Sequence, residues 1–176
     1  MGEHARLQDI LTHLDQGLED ALARLMRFLE IPSISTDPAH AGDVRTAAEW
    51  LCAELVGLGF DASIRDTPGH PMITARSPRG DARSLLFYGH YDVQPPDPLE
   101  LWHTPPFEPT VRDGRIYARG STDDKGQAFA HVKGAELLLQ EGELPVNVKF
   151  LLEGALLYKQ NFNSPWSSHP LIWDTQ

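Results

Sequence analysis

The chain has 176 residues, of which 41% are hydrophobic and 23% charged, and its formal net charge is -10. That is the balance of one well-buried globular domain, too short for two of ordinary size. The acidic surplus argues against nucleic acid or anionic membrane as partners, no apolar run approaches a bilayer span, and the polar start "MGEHARLQDILTHLDQ" lacks the pattern of an export signal, so a cytoplasmic location is expected.

Apolar residues from Leu7 through Ile10, Leu11, Leu14, Leu18, Leu22, Leu25 and Met26 to Leu29 form the stripe of one long helix, ended by "IPSISTDP". A second helix is predicted from about Asp43, as N-cap, to the stop at "GLGF", with Cys52 as a small buried residue on its amphipathic run. The period then changes: "FDASIRD", "HPMITARS" and "SLLFYGH" read as strands between turn-forming segments, and the continuous apolar content of the third predicts a central strand covered on both faces. Residues 93 to 109 hold six of the fourteen prolines and predict an extended surface loop. Asp113-Gly114 in "TVRDGRIYARG" predicts a hairpin, the stripe from Asp124 to Leu139 a helix, and "VNVKFLLEG" a further strand. Strand, helix and strand in that order imply an α/β sheet with right-handed crossovers.

Two short segments carry chemistry. His90 closes the third predicted strand, and loops beyond the carboxyl ends of strands are where α/β sheets present ligand-binding side chains. Strand alternation sends Asp92 to the same side, where its carboxylate can orient the imidazole; the plain alternative is a hydrogen-bonded strand terminus. In "RGSTDDKGQ" the adjacent carboxylates of Asp123 and Asp124 repel unless a cation, a base or a backbone donor offsets them. Asp124 reads best as the N-cap of the following helix, whereas Asp123 has no such structural duty. Arg119 and Lys125 read as charges that steady the acidic turn, and His103 and His131 as loop and helix-surface residues.

"GHYDVQP", then Trp102 and Phe107 within "LWHTPPFEP", then "DGRIYARGSTDDKG", in that order and spacing, resemble the co-catalytic zinc peptidases. That group includes carnosinase-like dipeptidases, aminoacylase, carboxypeptidase G and the acetylornithine and succinyl-diaminopimelate deacylases; the resemblance is greatest to the dipeptidase branch and spans about residues 5 to 154. It implies a partial doubly wound, mixed α/β sheet flanked by helices, with the lid and dimerisation domain of the family absent. It further implies that His90 is a zinc ligand, that Asp92 is the catalytic acid residue orienting it, and that Asp123 bridges two Zn2+ ions, other divalent ions being possible. The substrate implied is a dipeptide or an N-acyl amino acid, hydrolysed by a metal-activated water. Full-length members of the family are often homodimers through the domain this chain lacks.

The pattern departs from the family after Gly154. Where a Glu-Glu pair supplies the general base and a ligand of the other zinc, this chain has Leu156 and Leu157, and Glu153 matches a glutamate that precedes the pair. The segment from 155 to 176, "ALLYKQNFNSPWSSHPLIWDTQ", carries two of the four tryptophans but only Lys159 and Asp174 as charges, and no spacing supports recruiting His169 or Asp174 as ligands. Residues 1–154 are therefore expected to be the N-terminal part of a metallopeptidase catalytic domain, residues 155–176 an atypical tail, and the whole a truncated chain with little or no turnover by itself. The competing expectation is a non-catalytic binding protein that keeps the fold. A site completed by another subunit has the least support.

Overall fold

The computed structural model describes residues 3–77, 83–142, 144 and 146–155. The expected first helix divides at Gly17 into α1 (Glu3–Gln16) and α2 (Leu18–Leu29). Glycine is a poor helix former, yet the hydrogen-bond ladder runs on through it, from Gly17 N–H to His13 O and from Ala21 N–H to Gly17 O, both at 3.0 Å. Helix α3 (Ala41–Gly57) begins two residues before Asp43, which therefore lies in its first turn and not at the cap. A 3-10 turn at Pro38–His40 leads into it, capped by Asp37, whose carboxylate accepts from Ala39 N–H at 2.9 Å.

"GLGF" ends α3 by a Schellman arrangement. Gly59 takes φ +83 and donates to Val56 O at 2.9 Å, Phe60 N–H donates to Leu55 O at 3.1 Å, and the apolar Phe60 and Leu55 are both buried. The chain leaves directly into β1 (Asp61–Arg65), followed by β2 (Met72–Arg76) and β3 (Ser84–His90). The hairpin is β4 (Thr110–Arg112) and β5 (Arg115–Tyr117), with positive φ at both Asp113 and Gly114, as a type I′ turn requires. Helix α4 (Lys125–Gln140) and strand β6 (Asn147–Glu153) complete the described elements.

The main sheet has the order β1-β2-β6-β3. Strand β6 runs antiparallel to β2 and parallel to β3, so the sheet is mixed and α/β, flanked by helices. Helix α3 packs on β1 and β2, and α4 on β3. Their apolar faces meet Ile73, Ala75, Val148, Phe150 and Leu152 in one core, with Phe60 edge-on to Phe150 and Phe87 stacked on it. Cys52 is half-buried against this core, and burial pushes its thiol up.

One expectation is overturned: among the described strands β2 and β6, not β3, lie inside the sheet. Strand β3 lies at the edge, with Leu85, Leu86 and Tyr88 exposed. An apolar run measures how much a strand is able to bury, whereas sheet order depends on crossovers between distant segments. Among the described residues no helix is long and apolar enough to cross a membrane.

Candidate metal centre

Parallel pairing of β3 with β6 sets His90 level with Glu153, and Tyr91 N–H extends the ladder to Glu153 O at 2.9 Å. The imidazole thus stands at the carboxyl edge of the sheet. The other half of the centre comes from residues 119–125, between β5 and α4. Gly120, at φ +84, turns this loop, and Gly126 closes it: its N–H donates to Gly120 O at 3.2 Å, and an added Cβ would lie 2.0 Å from Ser121 O. Gly89 serves the same close approach from the strand side, where a Cβ would meet Asp124 Oδ2 at 2.6 Å.

These constraints bring His90, Asp92 and Asp123 together. Nδ1 of His90 lies 3.1 Å from Asp92 Oδ1 and 3.2 Å from Asp92 O, while Nε2 lies 3.1 Å from Asp123 Oδ1. Asp92 is fully buried, whereas the Asp123 side chain is 82% exposed. Burial pulls the imidazole pKa down, but the Asp92 hydrogen bond and charge, then Asp124 and Asp123, outweigh it and raise His90 to about 9. With Nδ1–H directed at Asp92, Nε2 faces an Asp123 oxygen: in the protonated ring it donates to that oxygen, and in the neutral ring its lone pair meets the oxygen's own. Two such electron-rich atoms are stable at this distance when a proton or a cation lies between them.

Asp124 occupies the N-cap position of α4 as expected, but its side chain makes no capping bond. It accepts from His90 N–H at 3.1 Å, and burial pushes its carboxyl up against the pull of that bond. The charges assigned to steady the turn also sit elsewhere. Arg119 Nη2 donates to Pro95 O at 3.1 Å and its guanidinium lies 5.3 Å from the Trp102 ring centre. Lys125 is fully buried, with Nζ donating to Phe28 O at 2.9 Å and Ile31 O at 2.6 Å; burial lowers it to about 7 against the pull of Asp92 and Asp43. For Lys125 the physical reason is burial: the carbonyl groups at the end of α2 need a donor there more than an exposed aspartate does.

Glu153 is buried and accepts a hydrogen bond from Tyr88 Oη. His103 and His131 are exposed as expected, the ring of His131 stacking on Phe87 at 4.3 Å. Sequence reasoning missed Ser35, whose hydroxyl donates to Asp92 Oδ2 at 2.5 Å; a serine in "IPSISTDP" is indistinguishable from any turn residue until the fold brings it there. Leu156, Leu157, His169 and Asp174 lie outside the described residues.

The donors suit a divalent cation. Nitrogen and oxygen bound to zinc at about 2.0–2.2 Å in tetrahedral geometry lie roughly 3.4 Å apart, close to the 3.1 Å between His90 Nε2 and Asp123 Oδ1. A ligating histidine ordinarily gives its other ring nitrogen to a carboxylate, as His90 does to Asp92. Among the described residues no group of three or more His, Cys, Asp or Glu is placed to hold an ion.

By its fold the chain is a peptidase-type α/β protein: it superimposes on the crystal structure of human carnosine dipeptidase 1 with a TM-score of 0.78 and 29% identity, covering 84% of this chain and 34% of that one. It belongs to Peptidase family M20/M25/M40, whose profile matches residues 86–155. It is 35% identical over 120 residues to a cysteinylglycine-S-conjugate dipeptidase of Corynebacterium striatum, covering 67% of this chain and 26% of that protein. It is also 37% identical over 146 residues to a succinyl-diaminopimelate desuccinylase of Thiobacillus denitrificans, covering 78% of this chain and 35% of that protein. The chain therefore spans about a quarter to a third of the length of the relatives it matches.

Proposed function

We propose that the chain carries the N-terminal part of a zinc-dependent dipeptidase site, in which His90 and Asp123 are metal ligands and Asp92 orients His90. The observation behind this reading is the imidazole bracketed by two carboxylates, one buried on Nδ1 and one exposed on Nε2. The exposed one is free to meet an ion arriving from solvent; the buried one holds the ring in place. Peptidase membership supports hydrolysis of an amide bond, and the dipeptidase relative supports a dipeptide as substrate, with an N-acyl amino acid next.

Bound zinc, two ions in a complete site, would supply Lewis acidity toward the scissile carbonyl and a water acidic enough to deprotonate near neutral pH. The chain's own residues position the site. Asp92 keeps the ring in one orientation and favours the tautomer that leaves Nε2 free, and His90 N–H fixes the Asp124 side chain, which in turn secures the loop presenting Asp123. Manganese or cobalt would fit the same mixed donors. With Leu156 and Leu157 where the family resemblance places a glutamate pair, we infer residues 155–176 to be a tail outside the family pattern and turnover by this chain to be slight.

The same two leucines favour a second reading, a binding protein that keeps the fold without the chemistry. Purified chain titrated with Zn2+ and then assayed on Xaa-Xaa dipeptides separates the two. Ion binding lost in His90→Ala and in Asp123→Asn supports the metal site, and dipeptide hydrolysis lost in the same variants supports the enzyme. Binding unchanged by both substitutions would sink the first reading.

A further inference from the structure

We propose that Ser35 is a positioning residue of this site, its hydroxyl setting the Asp92 carboxylate so that the opposite oxygen meets the His90 ring. The consequence for metal binding rests on the reading above; the geometry stands apart from it. Ser35 Oγ donates to Asp92 Oδ2 at 2.5 Å, and Asp92 Oδ1 lies 3.1 Å from His90 Nδ1. One buried carboxylate thus faces two elements, the segment after α2 on one oxygen and the end of β3 on the other. The terminal torsion of an aspartate is broad and roughly two-fold, so a fixed donor on the far oxygen restricts its freedom to swing.

The segment that carries Ser35 is held from three sides. Ile34 bridges Val93 beside it, with Val93 N–H donating to Ser33 O at 2.9 Å. The His70 ring, from the β1–β2 loop, bonds the Ser35 carbonyl at 2.8 Å. Behind, Lys125 Nζ donates to Ile31 O, and Lys125 lies two residues beyond Asp123. The segment that orients Asp92 and the turn that presents Asp123 are therefore tied to each other, which is what a two-sided grip on one cation requires. Ser35 touches neither the cation nor a substrate and acts through Asp92.

The test compares the wild-type chain with Ser35→Ala, Ser35→Thr and His90→Ala. Metal affinity is read by Co2+ absorption, the His90 Nδ1 proton by proton NMR of the metal-free protein, and folding by circular dichroism. Loss of an outer contact of this kind weakens metal binding by about 10- to 100-fold, and Ser35→Ala is expected at the lower end. The downfield Nδ1 proton resonance, assigned by its absence in His90→Ala, should broaden or vanish in Ser35→Ala and return in Ser35→Thr, which keeps the hydroxyl. A purely structural serine would lower the melting midpoint without moving either readout, and that result overturns the proposal. So does a failure of threonine to restore them in a folded variant. A wild-type chain that binds no Co2+, yet shows the serine-dependent resonance, refutes the metal site and leaves the positioning role standing.

Discussion

The imidazole of His90 faces Asp123 across 3.1 Å on its Nε2 side, at the opposite edge of the ring from its contact with Asp92. The two carboxylates do different work because their surroundings differ. Asp92 is sealed inside the protein, where a hydrogen bond is strong and orientation is retained. Asp123 projects into solvent, where its charge is available to an incoming ion.

Asp92→Asn keeps the shape of the side chain and removes its charge. Metal affinity is expected to fall by about 10- to 100-fold, because the amide can present an N–H toward His90 Nδ1 and destabilise the ligating tautomer. Competitive Zn2+ titration against a chromophoric chelator reads the change. An affinity equal to that of the wild type would contradict the orienting role.

Binding of a metal at His90 must displace a proton, since the Asp92 hydrogen bond and the surrounding carboxylates, prevailing over burial, hold that ring protonated up to about pH 9. Affinity should therefore climb about tenfold per pH unit below that value and level off above it. Without metal the sign reverses. A folded-state value raised above the unfolded one gives a stabilisation present in full below about pH 6.5 and lost as pH rises through about 9. Urea unfolding of the metal-free wild type and His90→Asn at pH 6 and pH 10 checks this: the gap in stability between them should be larger at pH 6.

Gly126→Ala should disturb the turn that carries Asp123. Its new Cβ would stand 2.0 Å from Ser121 O, a backbone atom with no rotamer to escape into. Overpacking of this kind costs on the order of 1–3 kcal/mol, measurable as a lower urea midpoint, and the displaced turn should weaken Zn2+ binding in the same variant. Gly134→Ala, on the same helix with open space around it, serves as the control and should be neutral or slightly stabilising.

The edge position of β3 has a consequence in solution. Leu86 is 56% exposed and Tyr88 59%, on a strand whose outer backbone is unpaired among the described residues. Such an edge is a template for pairing with another chain. Concentration-dependent association is expected by light scattering, and Leu86→Lys should reduce it. Equal scattering from the two proteins would show that this edge is not the point of contact.

The helices, the strands, the Asp113-Gly114 hairpin and the stop at "GLGF" were all legible because each is written in a period or a turn residue within a few positions. The break at Gly17 was less so, since its hydrogen bonds run on across the glycine and only the local backbone departs from the helix. The place of β3 in the sheet runs against the expectation of a central strand. Nothing local to "SLLFYGH" tells whether a later segment will pair on one side of it or on both.

At the site, residue types and spacing marked His90, Asp92 and Asp123 as candidates, and the resemblance to a peptidase family was carried by motifs that survive in the sequence. The partners were another matter. That Asp124 turns to the His90 backbone, that Lys125 is spent on the carbonyl groups of Phe28 and Ile31, and that Ser35 reaches Asp92 are contacts between residues 34 to 97 positions apart in the chain. Sequence by itself determined which groups have the chemistry, because donor atoms and backbone preferences belong to single residues and their neighbours. Tertiary structure decided which of those groups meet, because the segments are brought together by burial of a shared apolar core, a force without direction along the chain.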